Sequence, residues 1–380
     1  MADVYLDNNA TTCLAPEVRE AMEPFLGDCF GNPSSVHRKG MEASRALEAA
    51  RDEVRSAVGG ADYEIVFTSG GTEANNLAVL GVAARGGTRR HFVATAVEHA
   101  SVLGCLQHLE AGGAEVTLVP VDGEGRVRDD ELFAALRPQT VLLSILQVNN
   151  EVGTTHDVES IAARAKAAQP RVLVHVDGVQ AVGKVPIRLK HVDLFSGSAH
   201  KVHGPKGAGF LALRRGLRIE PLLRGGGHEG GLRSGTQNVA GAVGLGRAVA
   251  LGAGERERAQ ERLGVLRARL CSVLEGELGA CLNSPRDAVP HTTNVSFQGV
   301  AAAVLARALE ARGVYVSTAS ACTTRKRSAS HVLRAMGLAE DRAASAIRIS
   351  LSRYTTAGEV ETALAALADV RREVFVPARR

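Results

Sequence analysis

Val172-Leu173-Val174-His175-Val176-Asp177 and, twenty-odd residues on, Ser196-Gly197-Ser198-Ala199-His200-Lys201 decide the fold of this chain. The first run is apolar on successive residues, not on alternate ones. That is the pattern of a strand covered on both faces, as in parallel sheets wrapped by helices. Its last residue, Asp177, carries a carboxylate that is costly to bury unless it meets a cation; the plainer reading is a strand-end Asp capping the next helix. Lys201 follows Ser, Ala and His and precedes Gly204-Pro205-Lys206-Gly207, a glycine-rich loop.

Outward from this pair, similar apolar runs recur at Glu64–Thr68, His91–Thr95, Glu115–Val121, Thr140–Leu146, Arg171–Val176, Val192–Ser196 and Ala208–Arg214. Helical stretches fall between them, such as Ala74–Ala84, Val102–Ala111 and Val158–Ala168. This alternation predicts an α/β fold with a mainly parallel, seven-stranded sheet in a large domain over residues 13–254. The rhythm changes near residue 250. A long charged amphipathic helix is predicted over Glu255–Leu278, then a strand at Thr293–Phe297 and a helix at Ala301–Ala311. A strand at Val314–Thr318, a helix at His331–Gly337, a strand at Ile347–Leu351 and a terminal helix from Ala357 complete the pattern. These segments, with residues 1–12, are read as a smaller α+β domain over 255–380.

Bulk properties narrow the function. The 380 residues carry a formal net charge of +4, and their basic residues are scattered, which argues against nucleic acid as the main partner. No run of about 18 apolar residues predicts a membrane span, and Met1-Ala2-Asp3-Val4-Tyr5 lacks the basic-then-apolar pattern of a secretory signal. The six cysteines (Cys13, Cys29, Cys105, Cys271, Cys281 and Cys322) show neither a Cys-x-x-Cys pair nor zinc spacing. A reducing cytoplasm is the expected compartment, and no metal site is expected.

Six segments carry candidate chemistry. An acid ending a buried strand and a lysine in a Ser/His/Gly loop are what pyridoxal 5'-phosphate (PLP) needs: a Schiff-base amine, a partner for the pyridinium nitrogen and phosphate ligands. Thr68-Ser69-Gly70-Gly71-Thr72-Glu73 follows a strand and opens a helix, where glycines and free N–H groups suit an anion; a plain helix cap would explain Thr72 and Glu73 but not two glycines. His99, after Val97-Glu98, stands at a strand's carboxyl end, where it could stack on a ring and move protons as a catalytic residue, or serve the structure alone. Val148-Asn149-Asn150-Glu151 could bind a carboxylate or form a turn. Gly225-Gly226-Gly227-His228-Glu229 with Arg233-Ser234-Gly235-Thr236 could reach an anionic ligand or be a surface loop. Ser320-Ala321-Cys322-Thr323-Thr324-Arg325-Lys326-Arg327 places a thiol beside cations that favour its thiolate.

Taken together and in this order, the segments resemble the cysteine desulfurases, PLP-dependent enzymes of fold type I that take sulfur from L-cysteine. The resemblance runs from Tyr5-Leu6-Asp7-Asn8-Asn9-Ala10-Thr11-Thr12, through Phe30-Gly31-Asn32-Pro33-Ser34-Ser35, to Ser345-Ala346-Ile347-Arg348-Ile349-Ser350. It implies that Lys201 forms the Schiff base, Asp177 pairs with the pyridine nitrogen, Gln180 bonds the phenolic oxygen and His99 stacks on the ring. It implies that Gly71, Thr72, Ser198 and His200 hold the phosphate, with Thr236 reaching over from the other subunit of a homodimer. Asn32, Asn150 and Arg348 would bind the substrate, and Cys322 would receive its sulfur as a persulfide, leaving L-alanine. A sulfur-acceptor protein is then the expected partner, for iron–sulfur cluster assembly or a dedicated thiolation pathway. Selenocysteine lyase is the neighbouring alternative, and a non-catalytic sulfur-transfer scaffold would be expected to lack Lys201 or Cys322. Ala199 stands where most relatives have glycine, a change expected to be tolerated at negative φ.

Overall fold

All seven apolar runs of the first 214 residues enter one sheet. The computed structural model describes residues 3–60, 62–87, 90–318 and 330–374. In chain order its elements begin with β1 (Val4–Tyr5), α1 (Pro16–Leu26), α2 (Arg38–Ala57), β2 (Tyr63–Thr68), α3 (Gly71–Ala83), β3 (His91–Thr95), α4 (Ala100–Ala111) and β4 (Glu115–Val119). There follow α5 (Asp129–Ala134), β5 (Thr140–Leu146), α6 (Val158–Ala168), β6 (Leu173–Asp177), β7 (Leu194–Ser198), β8 (Gly209–Arg214) and α7 (Val239–Gly276). The remainder is β9 (Cys281–Leu282), β10 (Thr292–Ser296), α8 (Ala302–Glu310), β11 (Val314–Tyr315), β12 (Ser317–Thr318), α9 (His331–Ala335), α10 (Glu340–Ala344), β13 (Ala346–Ser350) and α11 (Ala357–Val374).

The large sheet has the order β2-β8-β7-β6-β5-β3-β4. β8 alone runs against its neighbours, pairing antiparallel with both β2 and β7. Adjacent residues point to opposite faces, as strand geometry requires. Val93, Leu143, Phe195 and Phe210 join a core with α2, α6 and the first half of α7, whereas Phe92, Leu142, Leu194 and Leu211 join another with α3 and α4. The unbroken apolar runs are therefore two half-patterns, one per face.

A four-stranded antiparallel sheet, β12-β13-β10-β9, and the parallel pair β1–β11 surround a separate core with α8, α11 and the second half of α7. Two expectations need correction. Val314–Thr318 is not one strand: β11 pairs with β1 and β12 with β13, in different sheets. The long helix starts at Val239, well before Glu255. Its first half has no charged stripe because its small residues pack against other backbone: a Cβ on Gly246 would lie 2.9 Å from the Ala50 carbonyl oxygen, and one on Gly252 would lie 3.0 Å from Gly183 Cα. A buried glycine-rich helix gives no amphipathic period.

Candidate active site

β5, β6 and β7 run parallel and end together at Leu146, Asp177 and Ser198. At this carboxyl edge, where open α/β sheets place ligands, a cavity of about 360 Å³ opens between the sheet and residues of β12 and β13. Asp177, only 6 % exposed, stands in its wall. Its carboxylate accepts hydrogen bonds from Asn75 Nδ2 (2.7 Å) and from the Val179 N–H (3.0 Å), which compensate for burial. Gly178 lets the chain turn here, since a Cβ would sit 1.9 Å from the Phe195 ring.

A single 3-10 turn, Ala199–Lys201, follows β7. Ala199 has negative φ, so the methyl group is accommodated as expected; the left-handed residue nearby is His203, at φ 67°. Lys201 Nζ lines the cavity and donates to the carbonyl oxygens of Asn9 (2.6 Å) and Ala10 (2.8 Å). His200 lines it too, with Nδ1 3.2 Å from Thr11 Oγ1. Burial and the nearby Lys201 charge push the His200 pKa down to about 4, so its ring is neutral at pH 7.

Opposite Lys201, α3 begins at Gly71 with no side chain capping its N-terminus. Glu73 instead turns back to accept from the Ser69 N–H (2.9 Å) and to pair with Arg233 (2.9 Å). A Cβ on Gly71 would meet Val179 Cγ2 at 2.6 Å, so this close approach requires glycine. Ser198 Oγ is buried and has no hydrogen-bond partner among the described residues. Uncapped N–H groups at the start of a 13-residue helix, the Thr72 hydroxyl and an unsatisfied serine make a cradle for an anion. His99 caps α4: its Nδ1 accepts from the Ser101 N–H at 3.1 Å, and burial lowers its pKa.

The two asparagines divide the work that the sequence left open. Asn149 is the turn residue, its Oδ1 accepting from the Glu151 and Val152 N–H groups at 2.9 and 3.0 Å. Asn150 lines the cavity, and its carbonyl oxygen accepts from Arg348 Nη1 (3.0 Å). Arg348, on β13, also donates from Nη2 to Asp7 Oδ1 (2.7 Å), while its buried Nε has no partner among the described residues.

Not every candidate converges. Asn32 is exposed and outside the cavity wall, its Oδ1 accepting from the Ser34 N–H (2.9 Å). Thr236 is exposed on a separate depression beside Ser69 and Gly207. In the same loop Glu229 is buried and paired with Arg51 (2.8 Å). Cys322 lies outside the described residues.

Asp7, Asn9, Asn75 and Glu151 also line the cavity, although no function was assigned to them from sequence. For Asn75 a signal existed: it lies four residues beyond Gly71, hence on the same helix face. Glu98 is another buried acid, beneath the site; its Oε1 accepts from Thr95 Oγ1 (2.7 Å) and the Leu146 N–H (3.0 Å). Burial pushes its pKa up to about 8. Between its ordinary pKa of 4.5 and about 8, native Glu98 keeps a proton that the unfolded chain releases, so stability falls as pH rises through that window. Glu98→Gln should remove this part of the slope, which urea unfolding at about pH 5 and about pH 8 would reveal.

Comparison with known proteins agrees with this architecture. The family model described as aminotransferase class-V matches residues 4–363. A cysteine desulfurase of Cereibacter sphaeroides is 46 % identical over 97 % of this chain and 95 % of its own. The cysteine desulfurase IscS of Dictyoglomus turgidum is 44 % identical over 93 % of this chain and 91 % of its own. A solved NifS-like protein superposes with a TM-score of 0.93 at 41 % identity, over 98 % of this chain and all of that one. The chain thus belongs to the class-V aminotransferase family and, within it, to the cysteine desulfurases.

Proposed function

We propose that this cavity binds PLP and L-cysteine, and that sulfur leaves the substrate as a persulfide on Cys322. The observation that carries the reading is the meeting of Lys201, Asp177 and the uncapped start of α3 around one cavity. PLP fits this donor set. The unsatisfied Ser198 Oγ, the Thr72 hydroxyl, His200 and the α3 N–H groups suit its phosphate, and Asp177 is a buried anion for a protonated ring nitrogen. Gln180 suits its phenolic oxygen, and neutral His99 suits the ring face. When bound, PLP supplies an electron sink for the α-carbon of an amino acid.

The chain's residues do the rest. Lys201 binds the cofactor and, once released, moves the substrate α-proton. Arg348 and Asn150 orient the substrate carboxylate; the guanidinium suits this because its fork presents paired N–H groups. The Cys322 thiolate attacks the substrate sulfur, forming an S–S bond as the C–S bond breaks. The carbon left behind takes a proton, so cysteine and one thiol become alanine and one persulfide. An acceptor protein then takes the outer sulfur, for cluster assembly or thiolation.

A homodimer completes the proposal, with the partner copy supplying Thr236 and Asn32. Their exposure supports it, as do Leu26, Phe30 and Val36, which are 72, 75 and 94 % exposed around Asn32. The cytoplasm remains the proposed compartment; among the described residues no helix is long and apolar enough to cross a membrane.

The test is to load the protein with PLP, add L-cysteine and a thiol reductant, and measure sulfide and alanine. Equal amounts are expected; cysteine consumption without alanine would overturn the reading. Arg348→Ala should raise KM for L-cysteine by about 100-fold, since loss of one partner of a buried charge pair typically costs several kcal/mol. Steady-state kinetics would check this, and cysteamine, which has no carboxylate, should lose far less.

A further inference from the structure

Gln180 is 4 % exposed and lines the cavity, and both ends of its amide are engaged. Oε1 accepts from Lys184 Nζ at 2.7 Å, and Nε2 donates to the Asn9 carbonyl oxygen at 3.0 Å. A lysine amine, charged or neutral, donates to this oxygen, and a carbonyl oxygen can only accept. The two contacts therefore fix which end of the amide is nitrogen. The reversed amide would set NH₂ against Lys184 and oxygen against oxygen.

The Asn9 carbonyl oxygen also accepts from Lys201 Nζ at 2.6 Å. Asn9 is itself anchored, its Nδ2 donating to Thr292 Oγ1 (2.8 Å) and its N–H to Ser350 Oγ (2.9 Å). Lys184, Gln180, Asn9 and Lys201 thus form one hydrogen-bonded line. Lys184 does not line the main cavity; its side chain borders a second, small cavity of about 40 Å³ beside α7, with Arg256, His291 and Arg353. Burial, with the charges of Lys201 and Arg348, pushes the Lys184 pKa down to about 7. A lysine kept where its charge is disfavoured calls for a reason beyond solubility.

We propose that Lys184 is a positioning residue that acts through Gln180: it locks the amide so that Nε2, beside Asn9 and Lys201, presents its second N–H to an anionic ring oxygen of the cofactor. The inference rests on the reading of the cavity as a PLP site. Without Lys184 only the Asn9 contact holds the amide, and the reversed form, which faces that oxygen with a carbonyl, becomes more accessible.

The experiment is a double-mutant cycle on the PLP-loaded protein, using Lys184→Met, Gln180→Ala and the double variant. Two readouts apply: PLP affinity, by titrating apoprotein with free PLP, and the pH midpoint of the bound cofactor's visible absorption. Lys184→Met should weaken PLP binding by about tenfold and raise the midpoint by about one unit, because the ring oxygen loses the donor that Lys184 held in place. Asp7, His99, Glu151, Asp177, His200 and Arg348 also face the cavity but are common to all four proteins. In the Gln180→Ala background, Lys184→Met should change little, since coupled residues are non-additive. Fully additive shifts, or a Lys184→Met protein with unchanged affinity and midpoint, would overturn the inference. Should Lys184→Met not fold, Lys184→Ala gives the same cycle, with the donor removed and room left for water. Wild-type protein that binds no PLP would instead defeat the underlying reading, a result separate from a normal wild type with a silent Lys184.

Discussion

Lys201→Ala should abolish L-cysteine turnover, by about 10⁴-fold or more, and the visible absorption of the bound cofactor should be lost with it. In the proposed reading Lys201 does two things, holding the cofactor covalently and carrying the substrate proton, and alanine does neither. The structure supports a precise role for the amine, since carbonyl oxygens of Asn9 and Ala10 fix Nζ at 2.6 and 2.8 Å. Those carbonyls belong to the segment that β13 anchors, through Asn8 Nδ2 to the Ser350 carbonyl oxygen (2.9 Å) and the Asn9 N–H to Ser350 Oγ. Sequence-distant residues 9 and 201 are therefore brought together by the small sheet. Because the lost side chain borders an open cavity, water can satisfy both carbonyls, and folding should change little. Spectra, turnover and thermal unfolding on one preparation check all three expectations. A Lys201→Ala protein with near wild-type turnover would overturn the assignment.

How much of this was legible beforehand depends on what each residue signals locally. The strands at His91–Thr95 and Thr140–Leu146 were readable to the residue, because apolar runs bounded by turns have no competing reading once both sheet faces are covered. Asp177 and Lys201 were readable because a charge at the end of such a run is costly without a purpose. The first half of α7 was not, because its glycines serve backbone contact, and contact leaves no periodic trace. Nor was the break between Tyr315 and Ser317, which exists because β1 and β13 take different partners far away in sequence. Among site residues, Asp7 and Asn9 carried no local signal; they matter through Arg348 and Lys201, more than 190 residues distant. Asn149 and Asn150 could be told apart only in the folded chain, where Oδ1 of Asn149 holds the turn and Asn150 stands in the cavity wall.

The division between cofactor chemistry and sulfur chemistry gives the sharpest remaining expectation. Cys322→Ala should lower sulfide release by about a thousandfold, about 4 kcal/mol of barrier, while leaving PLP bound with its visible absorption intact. Chain geometry permits the role. Thr318, in the cavity wall, is four residues before Cys322, so about 14 Å bounds the distance between their Cα atoms. On the far side of the segment, Ser330 Oγ donates to Glu151 Oε2, which also stands in the cavity wall. Both ends of the segment bearing Cys322 therefore start from the site. The described cysteines are poorer nucleophiles or lie elsewhere. Burial pushes the Cys105 thiol up to about 11 and raises Cys271, and a hydrogen bond to Glu42 raises Cys29. Cys13 is exposed and outside the cavity wall, so Cys13→Ala should turn over like wild type and serves as the control. Mass spectrometry after cysteine without reductant should find one extra sulfur on Cys322 and none in Cys322→Ala. Full turnover in Cys322→Ala, with the extra sulfur on another cysteine, would move the nucleophile there and leave the roles of Lys201 and Asp177 intact, because the side chains that hold the cofactor and the one that accepts sulfur lie on separate segments.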